Sequence, residues 1–229
     1  MTSPMRVAVI DSGVNVPHPH LPRVVGGLAL DAHGREHDDY LDVLGHGTAV
    51  AAAIHEKAPD AELFIIKVFD TRLATSVPAL VRAIDLAAAG GARIINLSLG
   101  TPNRIRRAQL EAAVARTVEH GAILVSAEEH EGAAWLPGSL AGVVGVVVDA
   151  GQPRERVTVR TLEAGRRVLV ASPYARPIPG VPLDRNLNGV SFAVANASGV
   201  LASVLAGAPE ARTAELAVDL LARSGDLGA

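Results

Sequence analysis

The sequence predicts an α/β fold of three layers, in which a mostly parallel sheet is covered by helices on both faces. Short, continuous apolar runs alternate with Ala-rich or amphipathic stretches, a pattern typical of buried parallel strands joined by helices. Apolar residues make up 49% of the 229 residues and aromatic residues only 3%, so Ala, Val and Leu must fill the interior. A chain of this length suits one domain, and we expect residues 1–229 to form a single domain.

The predicted strands are apolar runs that end at turn residues or charges, and the predicted helices are Ala-rich or periodic stretches. In chain order the strands span residues 6–10, 62–69, 93–97, 122–126 and 143–148, with weaker pieces at 157–160 and 167–171. The helices span residues 47–55, 77–89, 104–119, 191–205 and 213–223. Residues 18–42 are rich in Pro, Gly, His and Asp and are expected to be mostly loop.

Composition excludes several classes of function. The net charge is −3 without any block of Lys or Arg, so we expect no nucleic-acid partner. The chain has no cysteine, which excludes disulfides, thiolate metal sites and a cysteine nucleophile. No apolar run reaches the ~18 residues of a membrane span, and the N-terminus lacks a signal-peptide core. The sequence therefore predicts a cytoplasmic protein without a membrane partner.

Three polar residues stand where strands end or helices begin. Asp11 follows the first strand in "AVIDSGV", His46 lies between two glycines in "GHGT", and Ser191 opens a small-residue helix in "NGVSFAVANASG". Alone, each has an ordinary reading as an Asx turn, a helix-start residue or an N-cap. Together they are the types that nucleophilic catalysis needs, because a serine requires an imidazole base and the imidazole requires a carboxylate.

The order and context of these residues resemble the subtilisin-like serine peptidases, or subtilases. "DSGV", "GHGT" and "NGVS" carry the resemblance, and "HPHL", "IINLSLG" and "WLPGSLAGVVGVVVD" extend it over about residues 7–205. It implies that Asp11 orients the imidazole, that His46 is the general base and that Ser191 is the nucleophile. It also implies a peptide or protein substrate and no cofactor.

The resemblance further implies that Ser98, Leu99 and Gly100 line the cleft and pair with substrate backbone as an added strand. Asn96 is expected to be a buried structural amide. The acidic residues Asp38, Asp39 and Asp42 lack the spacing of a calcium loop, so we expect a solvated loop and no metal site.

The segment that supplies an asparagine to the subtilase oxyanion hole differs here. It reads "SAEEHEG", which puts His130 at the asparagine position and Glu129 at a glycine position. Loss of that donor from a subtilisin costs about 2.7–4 kcal/mol. Three readings stay open: His130 donates to the oxyanion, the hole relies on the Ser191 backbone N–H alone, or the site is catalytically retired.

The same segment crowds Glu128, Glu129 and Glu131 together. They form either a solvated acidic loop or an acidic rim near the first specificity pocket, in which case Glu128 and Glu129 would contact a Lys or Arg of the substrate. The stretch between His130 and "WLPG" is short for the family, so the pocket floor is expected to be reduced.

The sequence thus predicts a subtilisin-like serine endopeptidase that cleaves or transfers peptide bonds through an acyl-enzyme, specialised for peptide processing. The alternative is a catalytically impaired protein of the same fold that binds a peptide or protein partner.

Overall fold

A nine-stranded sheet forms the centre of the computed structural model, which describes residues 4–163 and 165–226. The sheet strands have the spatial order β10-β11-β9-β6-β5-β1-β4-β2-β3, and a separate hairpin is formed by β7 and β8. The strands are β1 (Arg6–Asp11), β2 (Val24–Leu30), β3 (Glu36–His37), β4 (Glu62–Lys67), β5 (Ile94–Leu97), β6 (Ile123–Ala127), β7 (Glu129–His130), β8 (Ala133–Ala134), β9 (Val143–Val148), β10 (Thr158–Thr161) and β11 (Arg167–Ala171). Neighbouring strands are parallel except at the two edges, where β2–β3 and β10–β11 are antiparallel.

Within residues 4–163 and 165–226, five α-helices cover the two faces of this sheet. They are α1 (His46–Lys57), α2 (Val77–Ala89), α3 (Arg107–Glu119), α4 (Val190–Ala206) and α5 (Ala214–Asp226). In the part of the chain that the structure describes, no helix combines the length and the apolar character needed to cross a membrane.

The predicted three-layer arrangement is confirmed. Alternate residues of β1 enter two separate cores: Val7 and Val9 pack with α1, α4 and α5, whereas Ala8 and Ile10 pack with α2 and α3. This alternation follows from the two-residue period of a strand and explains why the strands are apolar on both sides.

Residues 18–42 are mostly loop, as expected, but they also contain β2 and β3, which the sequence does not predict. Strand β2 contains Gly26 and Gly27, so its sequence lacks the apolar alternation that marks a strand. Its position depends on the distant β4: a Cβ at Gly27 would come within 2.8 Å of the Ile65 carbonyl oxygen. Pairing with β4 overrides the weak local preference.

Helices α1 and α4 pack closely, and this contact positions the candidate functional residues His46 and Ser191 at their N-termini. A Cβ at Gly199 of α4 would lie 2.9 Å from the Ile54 carbonyl oxygen of α1 and 3.1 Å from the Ile54 Cα atom. Only a residue without a side chain allows the two backbones to approach this closely.

Candidate active site

The structure brings Asp11, His46 and Ser191 to one edge of the sheet. Asp11 is the last residue of β1, His46 is the first residue of α1, and Ser191 is the second residue of α4. The His46 ring lies beside Phe192, with 5.5 Å between ring centroids. Residues that are 180 positions apart therefore meet at the carboxyl edge of the parallel strands, where α/β proteins build their sites.

Asp11 and His46 form a hydrogen-bonded pair. The His46 Nδ1 donates to Asp11 Oδ1 at 2.7 Å, and the Ser12 backbone N–H donates to the same oxygen at 2.7 Å. The Asp11 side chain is fully buried and the His46 side chain is 14% exposed. Burial by itself lowers the pKa of His46, but the hydrogen bond and charge of Asp11, together with the charge of Asp42, outweigh it and raise the pKa above its usual value.

Asp42 holds the loop that carries His46. Its Oδ1 accepts from the Ser12 hydroxyl and the backbone N–H groups of Leu44 and Gly45, and its Oδ2 accepts from the backbone and hydroxyl of Thr48. It is only 5% exposed, so the expectation of a solvated acidic residue is wrong for Asp42. The sequence signal that was missed is an Asp shortly before a glycine-flanked helix start, where a carboxylate can accept from orphan N–H groups.

Close backbone contact fixes the start of α1 against the end of β1. A Cβ at Gly47 would lie 2.3 Å from the Gly13 carbonyl oxygen, and the Gly47 N–H donates to the Ser12 hydroxyl at 2.8 Å. The glycine after His46 is therefore required by packing, and it locks the histidine onto the aspartate strand.

Ser191 lies at the N-terminus of α4, where its backbone N–H has no acceptor within the helix. Its hydroxyl donates to the Ser98 carbonyl oxygen at 3.2 Å. Among the described residues, no hydrogen bond joins this hydroxyl to the His46 ring. Catalytic hydrogen bonds often form only when substrate binds.

The backbone before Ser191 is open to a ligand. Gly189 has φ 138° and ψ −179°, a conformation that favours glycine, and no atom lies within 4 Å of a Cβ built on it.

A chain of buried polar groups connects α4 to the residues after β5. The Ser198 hydroxyl donates to Asn96 Oδ1 at 2.9 Å, and Asn96 Nδ2 donates to the Ser98 hydroxyl at 3.0 Å. The Ser98 hydroxyl in turn donates to the Ser191 carbonyl oxygen at 3.3 Å. Asn96 is fully buried, as expected of a structural amide, and it fixes the predicted substrate strand relative to Ser191.

The segment with the unusual oxyanion sequence is a tight hairpin. β7 and β8 pair with His130 opposite Ala133, and Glu131 and Gly132 form the turn with φ values of 51° and 77°. The His130 side chain is 41% exposed, and its Nε2 lies 3.9 Å from Glu131 Oε1. Its ring meets the edge of Trp135 at a centroid distance of 5.2 Å.

The prediction that Glu128 contributes to an acidic substrate rim is contradicted. Its side chain is 10% exposed and accepts from Arg166 Nε at 2.8 Å, which neutralises its charge. Arg166 also donates to the carbonyl oxygens of Gly138 and Val143, so the ion pair holds the base of the hairpin. Nothing near Glu128 in the sequence indicates this partner, which lies 38 residues away. Glu129 is exposed in β7, and its contact with substrate stays a prediction.

This fold, with a buried Asp–His pair and a serine at a helix N-terminus in the order Asp, His, Ser, has the architecture of the subtilisin class. Residues 3–130 match the family model described as "Subtilase family". The chain is 31% identical over 212 residues to "Thermostable alkaline protease" of Halalkalibacterium halodurans, covering 87% of this chain and 56% of that protein. It is 30% identical over 217 residues to "Subtilisin Savinase" of Lederbergia lenta, covering 90% of this chain and 75% of that protein. The chain belongs to the subtilase family.

A solved structure described as "Structure of Prenylagaramide maturation protease PagA" is similar in fold. The TM-score is 0.64 with 27% sequence identity, over 88% of this chain and 75% of that chain. The chain spans only 56% and 54% of the lengths of the proteases from Halalkalibacterium halodurans and Shouchella clausii strain KSM-K16.

Proposed function

We propose that this protein is a serine endopeptidase that processes peptides through an acyl-enzyme on Ser191. The observation that carries the proposal is the 2.7 Å hydrogen bond from His46 Nδ1 to the buried Asp11, next to a serine at a helix N-terminus. A buried carboxylate on Nδ1 keeps the other ring nitrogen, Nε2, free as a base and stabilises the imidazolium that forms.

The proposed reaction has two steps, acylation of Ser191 and hydrolysis of the acyl-enzyme. In the first, the Ser191 oxygen bonds to the scissile carbonyl carbon, His46 takes the hydroxyl proton and then gives it to the departing amine. In the second, water loses a proton to His46 and its oxygen bonds to the acyl carbon, and the bond from that carbon to the Ser191 oxygen breaks. The Ser191 oxygen takes the proton back from His46, and the acid is released. A peptide amine in place of water would give a transfer product.

The Ser98 carbonyl oxygen connects substrate binding to activation of the nucleophile. This oxygen accepts a hydrogen bond from the Ser191 hydroxyl at 3.2 Å. A peptide added as a strand along Ser98, Leu99 and Gly100 would offer its own N–H groups to this backbone. Competition for the Ser98 oxygen would favour rotation of the Ser191 hydroxyl toward His46.

We propose two donors for the oxyanion. One is the Ser191 backbone N–H, which is unpaired within the first turn of α4. The other is a ring N–H of His130, since its half-exposed side chain extends from the hairpin beside Trp135 and a rotation of the ring is not blocked by burial.

A processing role is favoured over general degradation. The likeness to PagA, which is described as a maturation protease, supports cleavage of a precursor peptide. The compact β7–β8 hairpin, in a stretch that is expected to be short for the family, supports narrow selectivity in the same direction.

The proposal is tested by incubating the protein with a peptide library of defined termini and identifying new termini by mass spectrometry. Cleavage by the native chain and none by the Ser191→Ala variant is the expected result. Equal cleavage by both chains would assign the activity to a contaminant, and no cleavage by either would refute the endopeptidase proposal.

A catalytically impaired protein that binds a peptide is the second candidate. It is favoured by one observation, that the Ser191 hydroxyl is bonded to Ser98 instead of His46. Peptide binding that survives in the native chain without any turnover would support this candidate against the enzyme.

Two further expectations stay predictions. Limited proteolysis that yields one stable core would support a single domain for residues 1–229. Fractionation of the native host would test the cytoplasmic location.

A further inference from the structure

Trp135, the only tryptophan in the sequence, lies between the hairpin and the segment that follows β5. Trp135 is half-buried and lies directly after the β7–β8 hairpin. Its backbone N–H donates to the Glu128 carbonyl oxygen at 2.9 Å, and its neighbour Leu136 exchanges two 2.9 Å backbone hydrogen bonds with Thr101. Trp135 is thus fixed to the end of β6 on one side and to the chain that follows β5 on the other.

The indole ring occupies the space beside Gly100. A Cβ built on Gly100 would lie 2.1 Å from Trp135 Cδ1 and 2.2 Å from its Nε1. The His130 ring closes another side of the indole at a centroid distance of 5.2 Å. The ring therefore fills the gap between the Ser98–Gly100 segment and the hairpin.

In a bound peptide, the side chain of the residue that supplies the scissile carbonyl would point into this gap between the Ser98–Gly100 segment and the hairpin. The Ser191 hydroxyl contacts the Ser98 carbonyl oxygen, so the reacting carbonyl of a bound peptide lies close to Ser98. β5 and β6 are parallel neighbours with Leu97 opposite Ser126, so the segments that follow them begin side by side, one on each side of the Trp135 ring. A substrate strand along one wall directs alternate side chains into the gap.

We propose that Trp135 fills the pocket for the acyl-side residue, the residue that supplies the scissile carbonyl, and restricts it to glycine, alanine or serine. The inference rests on the proposed function and deepens it by naming the substrate class. It also differs from the acidic rim expected from the sequence, because a ring that fills the pocket leaves no path for a Lys or Arg side chain to Glu129.

The test measures binding in the Ser191→Ala background, where no peptide is consumed. Fluorescent peptides that are identical except for a C-terminal alanine or phenylalanine are titrated and followed by anisotropy. We expect the alanine peptide to bind at least about tenfold more tightly, the scale at which a pocket discriminates by size. Trp135→Gly should reverse the preference, and Trp135→Phe should reduce it.

Controls separate the pocket from folding and from catalysis. Leu216→Ala, on the exposed surface of α5, should leave both affinities unchanged. The emission of Trp135 gives a second readout, since the alanine peptide should shift it in the native pocket. Circular dichroism shows whether Trp135→Gly folds, and the conservative Trp135→Phe keeps the test valid if it does not.

Equal affinity for the two peptides in the native pocket would overturn the inference, as would binding of neither. Unchanged selectivity in both Trp135 variants would overturn it too. These outcomes do not depend on turnover, whereas failure of the proposed endopeptidase function would appear as a native chain that cleaves no peptide but still selects alanine over phenylalanine.

Discussion

The two sides of the candidate site are built differently. On the acid–base side, Asp11, His46 and Asp42 are buried or nearly so and are joined through short hydrogen bonds to Ser12 and to the start of α1. On the proposed oxyanion side, His130 lies on a hairpin of two short strands, and its side chain is 41% exposed. Packing fixes the acid–base side, whereas the ion pair between Glu128 and Arg166 holds the base of the hairpin.

The difference shows where this subtilase keeps the family arrangement and where it departs from it. An imidazole base works only when one tautomer is held in one orientation, which requires the dense contacts around Asp11. The pocket and the oxyanion donor can be rebuilt on a hairpin, because changes there alter selectivity and rate without removing the nucleophile.

Asp11→Asn tests the acid–base side most severely. The amide cannot hold His46 in the tautomer with Nδ1–H as a donor to a negative charge, so kcat should fall by about 10⁴-fold. Steady-state kinetics on a cleaved peptide gives the value. A loss of less than tenfold would show that the pair is structural only.

His130→Phe tests the oxyanion side. The ring contact with Trp135 is retained but both N–H donors are lost, so kcat should fall by about 10²–10³-fold with little change in peptide binding to the matching Ser191→Ala chain. His130→Asn, which restores the family donor, is the matched control and should retain activity. Unchanged kcat in His130→Phe would leave the Ser191 backbone N–H as the sole donor.

Asp42→Ala tests the support of the His46 loop. It leaves the buried donors of Ser12 and Thr48 without an acceptor, so the free energy of unfolding should fall by about 3 kcal/mol. Asp38→Ala changes an exposed carboxylate in the same loop and should have an effect within about 0.5 kcal/mol. Urea denaturation compares the two, and equal stabilities would contradict the role of Asp42.

The pH dependence of kcat/KM tests the environment of His46, and we expect it to show the smallest of these effects. The base must be neutral, and its pKa is raised by Asp11 and Asp42, so kcat/KM should fall as the pH drops through a midpoint above the ordinary histidine value of about 6.5. A midpoint at or below that value would show that burial outweighs the two carboxylates.

The sequence was sufficient for the features that local patterns encode. The three-layer fold follows from apolar runs alternating with helical stretches, and Asp11, His46 and Ser191 each stand beside glycines or at an element end. Strand β2 was missed because two glycines hide its pattern and only β4 defines it. Glu128 pairs with Arg166, which is 38 residues away, and Trp135 contacts Gly100, which is 35 residues away. Local sequence patterns do not indicate contacts between residues so far apart in the chain.

The central claim is that the fixed acid–base side activates Ser191 although the oxyanion side is rebuilt. Reaction with a fluorophosphonate probe tests this claim most directly, with the labelled residue identified by peptide mass spectrometry. We expect stoichiometric labelling at Ser191 in the native chain, none in Ser191→Ala and much slower labelling in Asp11→Asn. A native chain that stays unlabelled under conditions that label an ordinary subtilisin would contradict the account.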